Sequence, residues 1–201
     1  MNKREFKSIR LSDGSLYWGE LKNQKPHGVG YIVDVNKSEQ SFGTFKNGVS
    51  HGFLFVFKKN KEVSNFEYVE GIIHGKVLHY LPNDETIFSD EYKNGELMIS
   101  ISYTLSGLMT TERFKDGKKH GMQNILLENG FQMQRIFENG ENINHPITNK
   151  KWAQSETPKP EAKKNGIKIY NDLKNHICSL YWIVPKELEE IIKDEKNKID
   201  N

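Results

Sequence analysis

The sequence has little of several features that would assign it to a common class. Its 201 residues contain one cysteine, Cys178, which excludes an internal disulfide and is typical of a reducing compartment. No apolar run approaches the ~20 residues that a membrane-spanning helix needs, and the N-terminus lacks the apolar region of a secretory signal. These absences predict a soluble, cytoplasmic protein, with association to a membrane surface or to the cytoskeleton left open.

An excess of charge of either sign is missing too. The 29 basic and 27 acidic residues leave a net charge of +2. This charge produces no strong positive potential that would attract nucleic acid, so no nucleic-acid partner is expected. Hydrophobic content is low at 35%, while aromatic content is high at 11%. This combination predicts a thin structure whose limited core is built largely from aromatic rings.

What the chain does contain is a repeat of about 23 residues over its first two thirds. The repeat is clearest in YWGELKNQKPHGVGY, which runs from Tyr17 to Tyr31. When the repeats are aligned, each repeat position forms a column. The first column holds the residue after a Lys-Asn or similar pair: Gln24, Gly48, Gly71, Gly95, Gly117 and Gly140. Four residues later a glycine follows a histidine, at Gly28, Gly52, Gly75 and Gly121. Three residues before the first column lie Leu21, Phe45, Tyr68, Tyr92, Phe114 and Phe137.

The spacing within each repeat predicts two short strands joined by tight turns. Pairs such as Asn47-Gly48 supply the positive φ that such reversals require. Between turns, Tyr17, Gly19 and Leu21 alternate with Trp18 and Glu20, as residues on the two faces of a strand do. The predicted structural turn glycines are Gly28, Gly48, Gly52, Gly71, Gly75, Gly95, Gly117, Gly121 and Gly140.

The expected fold is mostly β: an elongated, curved, single-layer antiparallel sheet of consecutive β-hairpins, about 11 to 13 strands, with a short α-helical C-terminal tail. Residues 1–12 contain the last strand of a truncated repeat, and residues 13–145 form the array. Residues 146–166, rich in lysine and proline, are interpreted as a linker. Residues 167–201 form the helical segment, with Asn171 as a candidate N-cap and Pro185 as a break.

The repeat resembles the MORN repeat, on positions that include Tyr17, Gly19, Glu20, His27 and Gly28. The resemblance covers roughly residues 13–145 and is weakest in the fourth unit, where Ile99 stands in place of the glycine. It implies consecutive β-hairpins in a curved single-layer sheet. The known roles of such arrays differ: scaffolding, peptide binding along an aromatic groove, membrane association, or accompanying a catalytic domain.

The chemical motifs are weak by comparison. Equivalent histidines of successive repeats should lie ~10 Å apart, too far to share one metal ion, so no metal site is expected. Gly71 to Val77 lacks the full spacing of a phosphate loop. Asn175 to Cys178 is similar to a signature of SET methyltransferases, but the remaining chain is too short for that domain. We therefore expect no catalytic residues and no cofactor.

The leading hypothesis is a non-catalytic interaction scaffold that binds a peptide or helix on an aromatic face. This face comprises Tyr17, Leu21, Phe45, Tyr68, Tyr92, Phe114 and Phe137. A single-layer sheet has no second layer to cover such a column, so either a partner or the chain's own C-terminal helix should dock on it. Two alternatives remain: peripheral association with anionic membranes, and a regulatory subunit of a separate enzyme.

Overall fold

A computed structural model of the chain describes residues 6–34, 39–143 and 160–179, and the five helical positions 188, 190, 191, 193 and 194. Within the helix of residues 160–179, the side chains of residues 164–176 are described. Most of the expected linker, Trp152 and Pro185 lie outside these residues. The chain forms two compact units, Met1–Ile72 with Leu180–Asn201 and, second, Ile73–Ser179.

The strands of both units follow one another in sequence order, and each described pair is antiparallel. The first unit contains β1 (Lys7–Arg10), β2 (Leu16–Lys22), β3 (Lys25–Asp34), β4 (Glu39–Lys46), β5 (Val49–Lys58) and β6 (Val63–Val69); β7 (Ile72–Ile73) spans the boundary in sequence. The second contains β8 (Gly75–Leu81), β9 (Thr86–Lys93), β10 (Glu96–Thr104), β11 (Met109–Lys115), β12 (Lys118–Lys119), β13 (Gly121–Leu126), β14 (Gln132–Glu138), β15 (Glu141–Asn142) and helix α1 (Pro160–Ser179).

The expected fold class is confirmed: the chain is mostly β, an open antiparallel sheet of consecutive strands with a C-terminal helix. The described residues contain fifteen strands, slightly more than expected. Two additional short strands arise because His74 and His120 interrupt the ladder, separating β7 from β8 and β12 from β13.

The hairpin turns have the geometry that their residues predict. At Asn47 and Gly48 both central residues have positive φ, 53° and 94°, and the same holds at Asn94-Gly95. This is the type I′ turn, whose twist matches the twist of the flanking strands. All nine glycines singled out from the sequence have positive φ.

Four of those nine glycines are nevertheless not turn residues, which corrects their assignment. Gly28 and Gly52 lie inside β3 and β5, while Gly75 and Gly121 begin β8 and β13. In the first repeat the register shifts between Gly19 and Leu21, so that Glu20 alone opposes residues 27–29. In β3 and β5 the His-Gly pair therefore forms a bulge, a feature that requires positive φ as a turn does but leaves the strand continuous. At His74 and His120 the same pair interrupts the strand.

The aromatic column and the bulge glycines are cross-strand partners. The register pairs Gly28 with Phe45, Gly52 with Tyr68, Gly75 with Tyr92 and Gly121 with Phe137. The space of the missing Cβ is taken by other side chains: the Glu20 carboxyl lies there at Gly28 and Thr44 Oγ1 lies there at Gly52. What links the two columns of the repeat is the strand register, which places each glycine opposite a ring.

Tyr17 is fully buried because glycines on two adjacent strands, β2 and β3, leave space for its ring. A Cβ on Gly30 would lie 2.3 Å from the Tyr17 hydroxyl oxygen, and one on Gly19 would lie 2.5 Å from it. The hydroxyl donates to the Glu20 carbonyl at 2.8 Å. Burial raises the pKa of Tyr17 to about 12. Tyr17, Phe45 and Leu54 form the main buried cluster of the first unit.

Helix α1 begins at Pro160, inside the segment interpreted as a linker, rather than near Asn171. Proline suits a first helical position because the amide there has no helical acceptor. Tyr170 is fully buried, whereas its neighbour Ile169 is 39% exposed. The helix contacts β8, β9 and β10, with the Lys174 ammonium 5.6 Å from the centre of the Tyr80 ring.

Candidate functional site

The histidine column connects successive repeats. Nδ1 of His27, His51 and His74 accepts a hydrogen bond from the amide of the following hairpin turn, at Asn47, Glu70 and Asn94, over 3.2 to 3.4 Å. The adjacent turn glycine donates to the carbonyl of the residue preceding the histidine, as Gly71 does to Ser50 at 2.8 Å. In the described part of the chain, no three His, Cys, Asp or Glu residues are grouped as a metal site. The column has a structural role.

The predicted aromatic face divides into covered and partly covered residues. Tyr17 and Phe45 are 0% and 5% exposed, so they belong to the core and are not accessible to a partner. This corrects their assignment to an exposed face: Gly19 and Gly30 leave room for the Tyr17 ring, and Phe45 packs edge-on against that ring with a centroid distance of 5.3 Å. The remaining members, Leu21, Tyr68, Tyr92, Phe114 and Phe137, are half-buried.

A second row of rings, which the repeat columns did not reveal, crosses the first unit on the opposite face. Trp18, Tyr31, Phe42 and Phe55 occupy matching register positions on β2, β3, β4 and β5. Consecutive ring centroids are 5.2, 5.0 and 6.5 Å apart. We call these four residues the aromatic ladder. All four are half-buried, and burial raises the pKa of Tyr31.

Strand β5 widens the ladder at one end. Phe53, Phe55 and Phe57 alternate along the strand and therefore lie on the same face. Phe53 is 54% exposed, which is high for so large an apolar side chain. The sequence signal for this surface was the alternation of three phenylalanines in one strand, rather than any column of the repeat.

The other end of the ladder is covered by the C-terminal segment. Leu188, almost fully buried, forms a cluster with Leu16 and Val33, and Ile191 packs against it together with Trp18 and Tyr31. Leu188 and Ile191 are helical and three residues apart, so they lie on one face of a helical turn. This face of the sheet therefore accommodates helical apolar side chains.

The second unit repeats this arrangement in its own strands. Tyr80, Ile87 and Leu126 are buried, and the register places them in one row across β8, β9 and β13 through Tyr103 and Met109. In the repeat frame this row corresponds to that of Leu16 and Val33. Helix α1 lies near it, because a Cβ on Gly166 would be 3.7 Å from Leu126. Equivalent rows in both units thus contact helical residues.

No protein-family model and no curated protein matches this sequence. Among the described residues, no helix is both long and apolar enough to cross a membrane.

Proposed function

We propose that the chain is a non-catalytic interaction scaffold of the MORN-repeat type, and that the aromatic ladder binds an amphipathic helix of a partner protein. The observation that carries the proposal is that the ladder rings Phe42 and Phe55 are half-buried and the neighbouring Phe53 is exposed, on the sheet face that packs against Leu188 and Ile191. Rings in a row offer a broad, rigid apolar surface that loses little side-chain entropy on binding.

The chemistry of this surface favours a helix over a small molecule. The ladder is a row of rings on a sheet rather than an enclosed cavity. At one end its rings pack against the cluster that contains Leu188, and Leu188 and Ile191 are spaced by three residues, as on one face of a helix. A partner helix would place apolar side chains at similar spacing over Phe42, Phe55 and Phe53. The scaffold would then hold that partner without acting on it chemically.

The test uses Phe53→Ser combined with Phe55→Ala in the full-length chain, in affinity purification followed by mass spectrometry. Ile72→Ser is the matched control, because Ile72 is also highly exposed at 52% but is not part of the ladder. We expect the double variant to lose its helical partner while the control retains it. Identical partner sets for all three proteins would contradict the proposal.

A vesicle sedimentation assay with anionic lipids separates this function from membrane association. The scaffold should remain in the supernatant with vesicles containing phosphatidylserine. Sedimentation that depends on Phe53 would instead identify the ladder as a lipid-binding surface.

A further inference from the structure

The second unit contains a pocket that none of the repeat columns predicts. It has a volume of about 650 Å³ and lies where the fourth repeat departs from the others. Its apolar lining includes Met98, Ile99 and Phe114, and its charged lining comprises Lys93, Arg113, Lys115 and a single acidic residue, Glu91.

The pocket has a specific structural cause. In four other repeats a bulge glycine lies opposite a ring, but here the repeat frame places Ile99 where that glycine would be. The β9–β10 register shifts between Leu97 and Ile99, and Ile99 pairs with Arg113 instead of Phe114. The Phe114 ring therefore lacks the cross-strand glycine that Phe45 and its equivalents have, and the surface stays open beside it.

The polar groups at this pocket are also altered. The Nδ1 atom of His120 is buried and has no hydrogen-bond partner among the described residues, unlike Nδ1 of the earlier histidines in the column. Arg113 donates from Nη1 to the Met122 carbonyl at 2.8 Å, which fixes its guanidinium beside β13. Three cationic side chains against one carboxylate make the rim attractive to acidic ligands.

An exposed apolar track continues from the pocket across the last strands. Met122 pairs with Ile136, and the amide of Ile143 donates to the Ile136 carbonyl at 2.9 Å. These three side chains are 42%, 45% and 46% exposed. A ligand that uses both pocket and track must be extended, with apolar groups at intervals.

We propose that this pocket and track bind an acidic, extended peptide segment of a partner protein. One bulky apolar side chain of the peptide enters between Met98, Ile99 and Phe114. Its carboxylates lie toward Lys93, Arg113 and Lys115. A following apolar side chain contacts Met122 and Ile136.

The test measures fluorescence anisotropy of a labelled peptide of about twelve residues with alternating leucine and glutamate, titrated with the full-length protein. Two further peptides, with alternating leucine and lysine and with alternating serine and glutamate, separate the apolar from the charge requirement. We expect only the leucine–glutamate peptide to bind, with affinity falling as salt rises from about 50 to about 500 mM. Equal binding of either comparison peptide would overturn the proposal.

Charge reversal tests the location. Lys93→Glu with Lys115→Glu should weaken binding by about tenfold, because two favourable charge pairs become repulsive. The control, Lys22→Glu with Lys25→Glu, changes net charge equally; Lys22 occupies the same repeat position as Lys93, and both control residues are exposed and outside the pocket lining. Binding weakened equally in both variants, or in neither, refutes the assignment.

A second variant and a second measurement keep the test independent of folding. Met98→Glu puts a carboxylate into the pocket and should abolish binding, and the Met98 methyl signal of the unaltered protein should shift when the peptide is added. A Met98 signal that stays unchanged at saturation overturns the proposal. Phe53→Ser should leave this binding intact, so that failure here is distinguishable from failure of the proposed ladder function.

Discussion

Removing the histidine acceptors should destabilise the array by an amount that depends on position. His27, His51 and His74 accept from the next turn at 3.4, 3.2 and 3.3 Å, whereas Nδ1 of His120 has no described partner. Substitution of one of the first three by alanine removes a hydrogen bond between consecutive repeats. The same substitution at His120 removes only packing contacts. His120→Ala is therefore the matched control.

The size of the effect follows from the geometry. An intramolecular hydrogen bond contributes roughly 0.5–1.5 kcal/mol net, and these three are long and exposed, which places each near ~0.5–1 kcal/mol. The three sites lie on different repeats and share no described partner, so their effects should add to about 1.5–3 kcal/mol in the triple variant. His120→Ala should cost at least ~0.5 kcal/mol less than His51→Ala.

Urea denaturation followed by circular dichroism gives the free energy of unfolding for each variant, provided the transition slopes agree. His51→Asn provides a rescue, because the asparagine side-chain oxygen can take the place of Nδ1 as acceptor, and it should recover part of the loss. Equal destabilisation by His51→Ala and His120→Ala would refute the reasoning, since the column would then act through packing alone.

Three further predictions concern buried rings. Gly30→Ala should cost about 2–3 kcal/mol in urea denaturation, because its Cβ would lie 2.3 Å from the Tyr17 hydroxyl. In Gly14→Ala the Cβ meets nothing within 4 Å, so this variant should lose only the roughly 1 kcal/mol that a positive φ of 86° costs a residue with a side chain; equal losses would contradict this. Because the pKa of Tyr17 is raised to about 12, its contribution to stability is present below pH ~10 and is lost as pH rises toward ~12. Tyr17→Phe should flatten that alkaline decline, and an unchanged slope would rule the ring out as its source. Tyr170→Ala should cost about 3 kcal/mol and accelerate proteolysis of α1, whereas unchanged cleavage would mean that the helix is held elsewhere.

Local chemistry made the backbone predictable from the sequence. A turn such as Asn47-Gly48 needs positive φ at both central residues, and few residue types tolerate it, so the turn positions are visible in the sequence itself. The bulges were harder to identify: Gly28 needs the same positive φ as a turn glycine, and only its cross-strand pairing with Phe45 distinguishes the two. The beginning of α1 was also missed, because Pro160 is equally compatible with a linker and with a first helical turn.

The aromatic ladder could not be predicted as an exposed surface from the sequence of any single repeat. Both faces of the strands carry apolar side chains, so the alternation in β2 or β5 leaves open which face is covered. On one face, Leu188 covers Leu16 and Val33. On the other face, Tyr17 packs with Phe45 and Leu54. In both cases the contacting residues are distant in the sequence.

The sequence by itself therefore determined the repeat, its turns and the antiparallel order of its strands, because those features follow from φ preferences and alternation within a few residues. Only the tertiary structure decided which rings form the core and which form a surface. It placed Tyr17 and Phe45 inside and left Phe53 exposed, because burial depends on what the neighbouring strands and the C-terminal segment supply. The pocket beside Phe114 has the same origin, because it depends both on Ile99 in place of a bulge glycine and on the register that pairs Ile99 with Arg113 on the next strand.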